Sequence, residues 1–141
     1  MAGAQILQTL IDRQAITDLI YRYCRAVDRL DIPLGHSIWH EDGVADYGAA
    51  VYRGPGKGAI DHICAQHRGT LHHSHQVSNI LIHLDGDRAG SESYVTESLR
   101  VMSGKQLRHI SSGSTISSSW HYPSRGKPFS SVRRSAAAFP R

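Results

Sequence analysis

The chain has 141 residues, 40% of them hydrophobic, which is the size and composition of one globular domain with its own core. No apolar run approaches the roughly 20 residues of a membrane-spanning helix, and the N-terminus lacks the basic start and apolar block of a signal peptide, so a cytoplasmic location is expected. The net charge of +4 divides into −4 for residues 1–97 (12 acidic, 8 basic) and +8 for residues 98–141 (no acidic, 8 basic). The basic residues of the second part are scattered among serines with no aromatic stacking pattern, which argues against nucleic-acid binding.

Residues 5–30 give the strongest helical pattern, because apolar side chains recur there at three- and four-residue intervals. One i, i+4 row on this helix consists of Ile16, Ile20, Cys24 and Asp28. An apolar row that ends in a carboxylate places Asp28 at the edge or floor of an interior space; alternatively, Asp28 marks the solvated end of the helix. The second interpretation has a small cost, because a carboxylate at a helix C-terminus opposes the helix dipole.

The middle of the chain predicts a short helix, a strand and another helix. Pro33 and Gly35 are expected to end the first helix. The elements that follow are a short helix at 37–39, a strand at 43–54 with Gly48 as a candidate bulge, and a helix from Ala59 to His67. The glycines at 54–58 lack the GxxxxGK[ST] pattern, which argues against a nucleotide site.

The remaining elements are predicted as an antiparallel meander. Residues 73–87 alternate, with Ile80, Ile82 and Leu84 on one face and His73, His75, Val77, Asn79, Leu81 and His83 on the other. The sequence DGD at 85–87 is typical of a hairpin turn, and strands at 88–104 and 105–120 follow. Helices followed by antiparallel strands predict an α+β domain with a curved sheet wrapped over the helices.

Residues 111–141 differ in composition from the preceding 110. They contain ten serines and five basic residues, and hydrophobic periodicity fades. This composition alone predicts poor order, the alternative being that the segment completes the sheet. We therefore divide the chain into a domain at 1–110 and an atypical Ser-rich basic segment at 111–141. We interpret this segment as a frameshift product or an unusual terminus, which sequencing the coding DNA would test.

Five of the ten histidines lie between positions 62 and 75, which raises the question of a metal site. His73 and His75 share a strand face and could bind zinc with a carboxylate, but no third ligand is evident. The cysteines, Cys24 and Cys64, have neither CxxC spacing nor a disulfide pattern. His72 points to the opposite face and is expected to be solvent-facing or structural.

Three segments together resemble a known superfamily: RQAITDLIYRYCRAVDRLD, WHEDGVADYG and HSHQVSNILIHLDGDRAGSESYV. Over about residues 5–110 they are similar to the SnoaL-like group of the nuclear transport factor two-like superfamily, which includes scytalone dehydratase, ketosteroid isomerase, bile-acid dehydratase and hexachlorocyclohexane dehydrochlorinase. The resemblance implies a cystatin-like α+β barrel. In this cone-shaped fold, a strongly bent antiparallel sheet is closed by helices around a deep apolar pocket.

The resemblance also implies site residues. By position, His75 matches a histidine base on a sheet strand, and Asp28 matches the aspartate that pairs with it. Tyr23 and Tyr47 match pocket tyrosines that could hydrogen-bond a substrate carbonyl or hydroxyl. His73 and Asn79, on the predicted face of His75, are further candidates for lining the pocket.

The function that these residues favour is elimination from a small molecule. A histidine with a pKa near ~6.5 can take a proton at neutral pH, and a bonded aspartate would fix its tautomer. We expect a cofactor-independent dehydratase or dehydrohalogenase acting on an apolar small molecule, without metal, nucleic-acid or membrane partners, and a homodimer or homotrimer by resemblance. The alternatives are a ketosteroid-type isomerase, a polyketide cyclase and a non-enzymatic binding module of the same fold.

Overall fold

The structure is a computed structural model that describes residues 2–121 and 130–138. The helices of this part are α1 (Ala2–Arg29), α2 (Ile32–Ser37) and α3 (Gly56–His67). Its strands are β1 (Trp39–Asp46), β2 (Arg53–Pro55), β3 (His72–Asp85), β4 (Arg88–Ser103), β5 (Gln106–His121) and β6 (Ser130–Ala138). The predicted α+β class, with N-terminal helices on a predominantly antiparallel sheet, is confirmed.

The six described strands form one sheet in the order β2-β1-β6-β5-β4-β3. The hairpins β3–β4 and β4–β5 turn at Gly86 and Gly104, whose positive φ angles of 59° and 63° lie in the left-handed region that favours glycine. Residues 111–121 belong to β5, and β6 lies between β5 and β1, antiparallel to β5 and parallel to β1. The Ser-rich segment therefore supplies strands to the middle of the sheet.

The core lies between the second half of α1 and the inner face of the sheet. Ile16, Ile20 and Val27 of α1 are buried, together with Trp120 from β5. Burying each such side chain contributes roughly 1.5–3 kcal/mol. The indole N–H of Trp120 donates to Ser91 Oγ at 2.8 Å, so its polar group is also satisfied inside the domain. This packing fixes the end of α1 relative to the strands, where the candidate site lies.

The first half of α1 differs from the second. The helix begins at Ala2, three residues before the predicted start. Its exposed apolar side chains in this half are Ile6, Leu7, Leu10 and Ile11. Helical periodicity continues through both halves, but the half before Ile16 contributes nothing to the core of the described residues. No helix of residues 2–121 is long and apolar enough to cross a bilayer.

Three local predictions between α1 and α3 are wrong: the position of the short helix, a continuous strand at 43–54 and a bulge at Gly48. The short helix lies at Ile32–Ser37, not at 37–39, because Asp31 caps it by accepting a hydrogen bond from the Leu34 N–H at 3.0 Å. Pro33 therefore stands in the first helical turn, where a missing N–H has no cost. Gly48, with φ +84°, lies in the loop between β1 and β2 and not in a strand bulge.

A bulge in β3 corrects the predicted alternation. The register with β4 shifts between Ser78 and Leu81, and Asn79 has φ 53°. The extra residue changes the phase of the strand, so Val77 and Ile80 both pack against the core. Ile82 and Leu84 follow Ile80 inward, whereas Asn79, Leu81 and His83 are exposed. The inner face of β3 thus carries the histidines of its first half and the isoleucines of its second half.

Candidate active site

The end of α1 and the start of β3 meet at Asp28 and His75. The Nδ1 atom of His75 lies 2.6 Å from Asp28 Oδ1, and the backbone N–H of His75 donates to Asp28 Oδ2 at 3.1 Å. Only 11% of the His75 side chain and 22% of the Asp28 side chain are exposed. Because the carboxylate accepts at Nδ1, the neutral imidazole carries its proton there, and Nε2 is the basic nitrogen.

A second carboxylate, Glu97 of β4, lies on the other side of the imidazole. Its Oε1 atom is 3.6 Å from His75 Nε2 and 3.2 Å from Nε2 of His67, the last residue of α3. The side-chain contact with His67 lowers the pKa of Glu97 below its ordinary value; burial opposes this shift, and the electrostatic effect of His75 in its protonated form adds to it. The Ser112 hydroxyl of β5 also donates to Glu97, at 3.3 Å. Glu97 is therefore ionised at neutral pH.

Neither Glu97 nor His67 was among the residues predicted from the sequence. The turn pairs Asp85 with Arg88, and regular pairing from that turn would place Ser98 opposite His75. The bulge shifts the register by one residue, so that Glu97 stands opposite His75. The sequence does carry a signal of this bulge. The apolar residues Val77 and Ile80 are three positions apart, whereas regular alternation separates residues of one face by an even number of positions.

His73 was predicted to line the pocket, but in the structure both of its ring nitrogens contact other protein atoms. Its Nε2 donates to the backbone carbonyl of Val27 at 2.9 Å, and its Nδ1 lies 2.8 Å from the Thr70 hydroxyl. Both ring nitrogens are thus engaged by protein atoms, and the ring fastens the end of α1 to β3. A zinc site at His73 and His75 would have to break these bonds, and within residues 2–121 and 130–138 no group of three metal-binding side chains is suitably arranged.

Of the remaining predicted residues, Tyr23 and Tyr47 lie beside each other, and Asn79 lies elsewhere, in β3. The hydroxyls of Tyr23 and Tyr47 are 3.1 Å apart, with Tyr23 buried and Tyr47 half-buried. Asn79 is exposed in the β3 bulge, so the prediction that it shares the inner face of His75 is wrong. His72 is exposed, as expected.

A cleft of about 360 Å³ gives access to the Asp28–His75 pair. Its lining residues are Tyr21, Cys24, Arg25, Asp28, Arg29, His75 and Val77. The two guanidinium groups make this cleft more polar than the deep apolar pocket that the sequence led us to expect. A small molecule that entered it would meet a buried imidazole oriented by a carboxylate, which is an arrangement suited to removing a proton.

Comparisons with known proteins agree with this architecture. The sequence model of the SnoaL-like domain matches residues 8–122. No curated protein matches the chain.

Similar solved structures cover nearly the whole chain. An NTF2-like protein with a cystatin-like fold from Novosphingobium aromaticivorans is 22% identical, over 96% of this chain and 87% of that chain, with a TM-score of 0.78. A candidate scytalone dehydratase from the same organism is 16% identical, over 94% and 87%, with a TM-score of 0.79. Hexachlorocyclohexane dehydrochlorinase LinA-type3 from Novosphingobium barchaimii is 17% identical, over 95% and 90%, with a TM-score of 0.81. At these identities the likeness establishes a common fold.

Proposed function

The chain belongs to the SnoaL-like domain family, and on that premise we propose that it is a cofactor-independent lyase that eliminates water or a halide from a small organic molecule. The observation that carries the proposal is the buried 2.6 Å contact between Asp28 and His75. This contact places the proton of the neutral ring on Nδ1 and leaves Nε2 to act as the base. The function of the site thus depends on one hydrogen bond between α1 and β3.

In the proposed reaction, His75 Nε2 removes a proton from a carbon next to the one that carries the leaving group. The C–H electrons form the double bond, and chloride or hydroxide departs, the hydroxide leaving as water after it takes a proton from the imidazolium. Asp28 stabilises the imidazolium between these steps and holds the ring in one orientation. Tyr23 and Tyr47 do not line this cleft, and they are proposed to stabilise developing negative charge only on a substrate that extends to their paired hydroxyls.

Two of the structural neighbours support the reaction class. Dehydratase and dehydrochlorinase are both names for eliminations, one of water and one of hydrogen chloride. An elimination needs a base beside the acidic C–H bond, and a neutral histidine supplies one at physiological pH. A cleft of about 360 Å³ beside His75 has room for a small organic molecule.

A substrate panel tests the proposal. Purified protein would be incubated with hexachlorocyclohexane, with cyclic β-hydroxy ketones and with a β,γ-unsaturated ketone, and chloride release or formation of the conjugated product would be measured. We expect turnover of a chloride or β-hydroxy compound by the wild type and loss of it in His75→Ala. His36→Ala, which changes a histidine on the surface, is the matched control and should retain activity.

The same panel separates the alternatives. Turnover of the β,γ-unsaturated ketone alone would favour the isomerase. Saturable binding of panel compounds without turnover, or turnover unaffected by His75→Ala, would favour the binding module and contradict the lyase. The expected homodimer or homotrimer stays a prediction, which analytical ultracentrifugation of the same preparation would decide.

A further inference from the structure

We propose that Glu97 and His67 are positioning residues of this site: Glu97 places a carboxylate beside the basic nitrogen of His75, and His67 holds that carboxylate beyond hydrogen-bond distance of this nitrogen. The catalytic meaning of this inference rests on the proposed lyase function. Its structural content, the effect of two residues on the titration of a third, does not need any substrate.

The geometry places His75 between two carboxylates. Asp28 accepts from Nδ1 at 2.6 Å, and Glu97 Oε1 lies 3.6 Å from Nε2 on the opposite side of the ring. An anion at this distance in a largely buried site favours the charged imidazolium. At 3.6 Å, however, the contact is longer than a hydrogen bond. Glu97 therefore favours the protonated product of the first step without occupying Nε2 before that step.

His67 accounts for the intermediate position of Glu97. A carboxylate that moved several tenths of an ångström closer would accept a hydrogen bond from Nε2 of protonated His75, and both nitrogens of that ring would then be engaged. The competing donor is His67 Nε2, which lies closer to Glu97, at 3.2 Å. The His67 side chain is only 11% exposed, so its own position is well defined by packing.

The surroundings of His67 also determine which form of its ring is present. Its Nδ1 atom is buried and has no hydrogen-bond partner among the residues that the structure describes. Protonation of the ring would add an N–H group at Nδ1, in addition to the one at Nε2. A buried donor without an acceptor costs free energy. A single ring proton on Nε2, the nitrogen that lies 3.2 Å from Glu97 Oε1, avoids this cost. The lowered pKa of Glu97, whose largest cause is His67, agrees with this assignment.

Other groups near His75 come from four elements. They are Arg25, Asp28 and Arg29 of α1, His67 of α3, His73 of β3 itself, and Glu97 of β4. The two arginines oppose Glu97, because a nearby cation disfavours the imidazolium. Both are exposed on α1, where water and salt screen them, whereas Glu97 is enclosed between β3, β5 and α3. Of these charged groups, the two carboxylates are the ones recorded within 4 Å of the ring nitrogens of His75.

Histidine ring nitrogens titrated by nuclear magnetic resonance, without substrate, test the proposal. In Glu97→Gln we expect the pKa of His75 to fall by roughly one unit, since a carboxylate within ~4–6 Å is removed. In His67→Phe we expect it to rise, because Glu97 is released and moves to Nε2. His67→Gln retains an N–H donor and should leave the pKa of His75 near the wild-type value. In the wild type, the His67 signals should report a neutral ring protonated on Nε2.

The opposite signs of the two shifts are the decisive result, since merely loosening the structure would move the pKa of His75 in one direction in both variants. Glu92→Gln, which removes an exposed carboxylate from the same strand, is the charge-matched control and should leave His75 unchanged. If Glu97→Gln fails to fold, Glu97→Asp replaces it: a shorter carboxylate should lower the pKa of His75 by less than one unit. Unchanged titration in Glu97→Gln, or a fall in His67→Phe, would overturn the proposal.

Failure of this proposal is distinguishable from failure of the lyase proposal. The titrations report on His75 alone, so they can succeed although no panel compound turns over. Conversely, a protein that turns over a panel compound through His75, but whose His75 titration ignores Glu97, would retain the lyase function and lose the positioning role of Glu97 and His67.

Discussion

Two of the histidine–aspartate pairs among the described residues, one buried and one at the surface, differ chiefly in their surroundings. Asp28 and His75 lie 2.6 Å apart between α1 and β3, with side chains 22% and 11% exposed. His36 and Asp61 lie 2.8 Å apart on the surface between α2 and α3, with side chains 34% and 55% exposed. An exposed pair contributes about 0–1 kcal/mol, because water competes for both partners. Contact distance alone therefore does not identify a reactive histidine.

The Asp28–His75 pair differs from the surface pair in two ways. It is more deeply buried, and the second ring nitrogen of its histidine, Nε2, lies near Glu97. The imidazole of His75 is flanked by Glu97 and lies beside a cleft, whereas His36 uses Nε2 for its aspartate at the surface. A desolvated carboxylate also acts more strongly on an imidazole than a solvated one. Matched substitutions in the two regions test whether burial makes this difference.

The largest effect is expected from Asp28→Asn. An asparagine side chain can present its amide N–H to the ring, which favours the wrong tautomer and no longer stabilises the imidazolium. On any panel compound that turns over, kcat should fall by roughly a hundredfold. The matched change at the surface, Asp61→Asn, should leave kcat within about twofold. Equal losses in steady-state kinetics of the two variants would contradict the distinction between the pairs.

His73→Phe should have the next largest effect, on stability. The substitution removes the hydrogen bond to the buried carbonyl of Val27, which fastens the end of α1 to the sheet. The carbonyl keeps its hydrogen bond from the Leu30 N–H at 3.2 Å. The loss of the His73 bond should therefore cost about 0.5–1.5 kcal/mol, to be measured as the free energy of unfolding in urea. His72→Phe, at the exposed neighbouring position, should change it by less than about 0.5 kcal/mol. Similar values for both variants would mean that His73 does not anchor the helix.

Glu97 makes a smaller, pH-dependent contribution. Its pKa is lowered in the folded protein from an ordinary value of 4.5, chiefly by His67, so the folded state binds a proton there less readily than the unfolded state. The resulting stabilisation is fully present above that ordinary value and is lost as the pH falls through the lowered pKa. The difference in unfolding free energy between wild type and Glu97→Gln should therefore stay constant from pH 7 down to that ordinary value and shrink below it. The exposed Glu92→Gln should show no such trend.

The smallest effect concerns thiol chemistry away from both pairs. Cys64 is fully buried in α3, and burial raises the pKa of its thiol, which lowers its thiolate fraction at neutral pH. Cys24 is also buried. We expect a thiol reagent to label neither cysteine rapidly in the native protein and to label both after unfolding in urea. Rapid native labelling of Cys64 would show that burial protects side chains less than the comparison of the two pairs assumes.

Local patterns in the sequence were sufficient for the fold class and for the faces that carry Asp28 and His75, whereas the pairing of these two residues was implied by the family resemblance. The row from Ile16 to Asp28 follows helical periodicity, which holds wherever one face of a helix is buried. Strand alternation then separated His72 from its neighbours His73 and His75. These patterns depend on residues close together in the chain, so they are readable without a structure.

The same alternation failed beyond Val77, because one bulge inverts every later side chain. Asn79 was therefore assigned to the wrong face, and Glu97 was not recognised as the residue opposite His75. His73 and His75 could not be told apart either, since one contacts a backbone carbonyl and the other a carboxylate of a helix some 46 and 47 residues away.

The sequence by itself thus determined the α+β architecture, the inward row that ends at Asp28 and the strand that carries His75. Only the tertiary structure decided that Glu97 lies opposite that histidine, that His67 reaches it from α3, and that His73 anchors α1. The physical reason is that periodicity depends on neighbours in the chain. Register, by contrast, depends on a single bulge and on packing between elements that are distant in sequence.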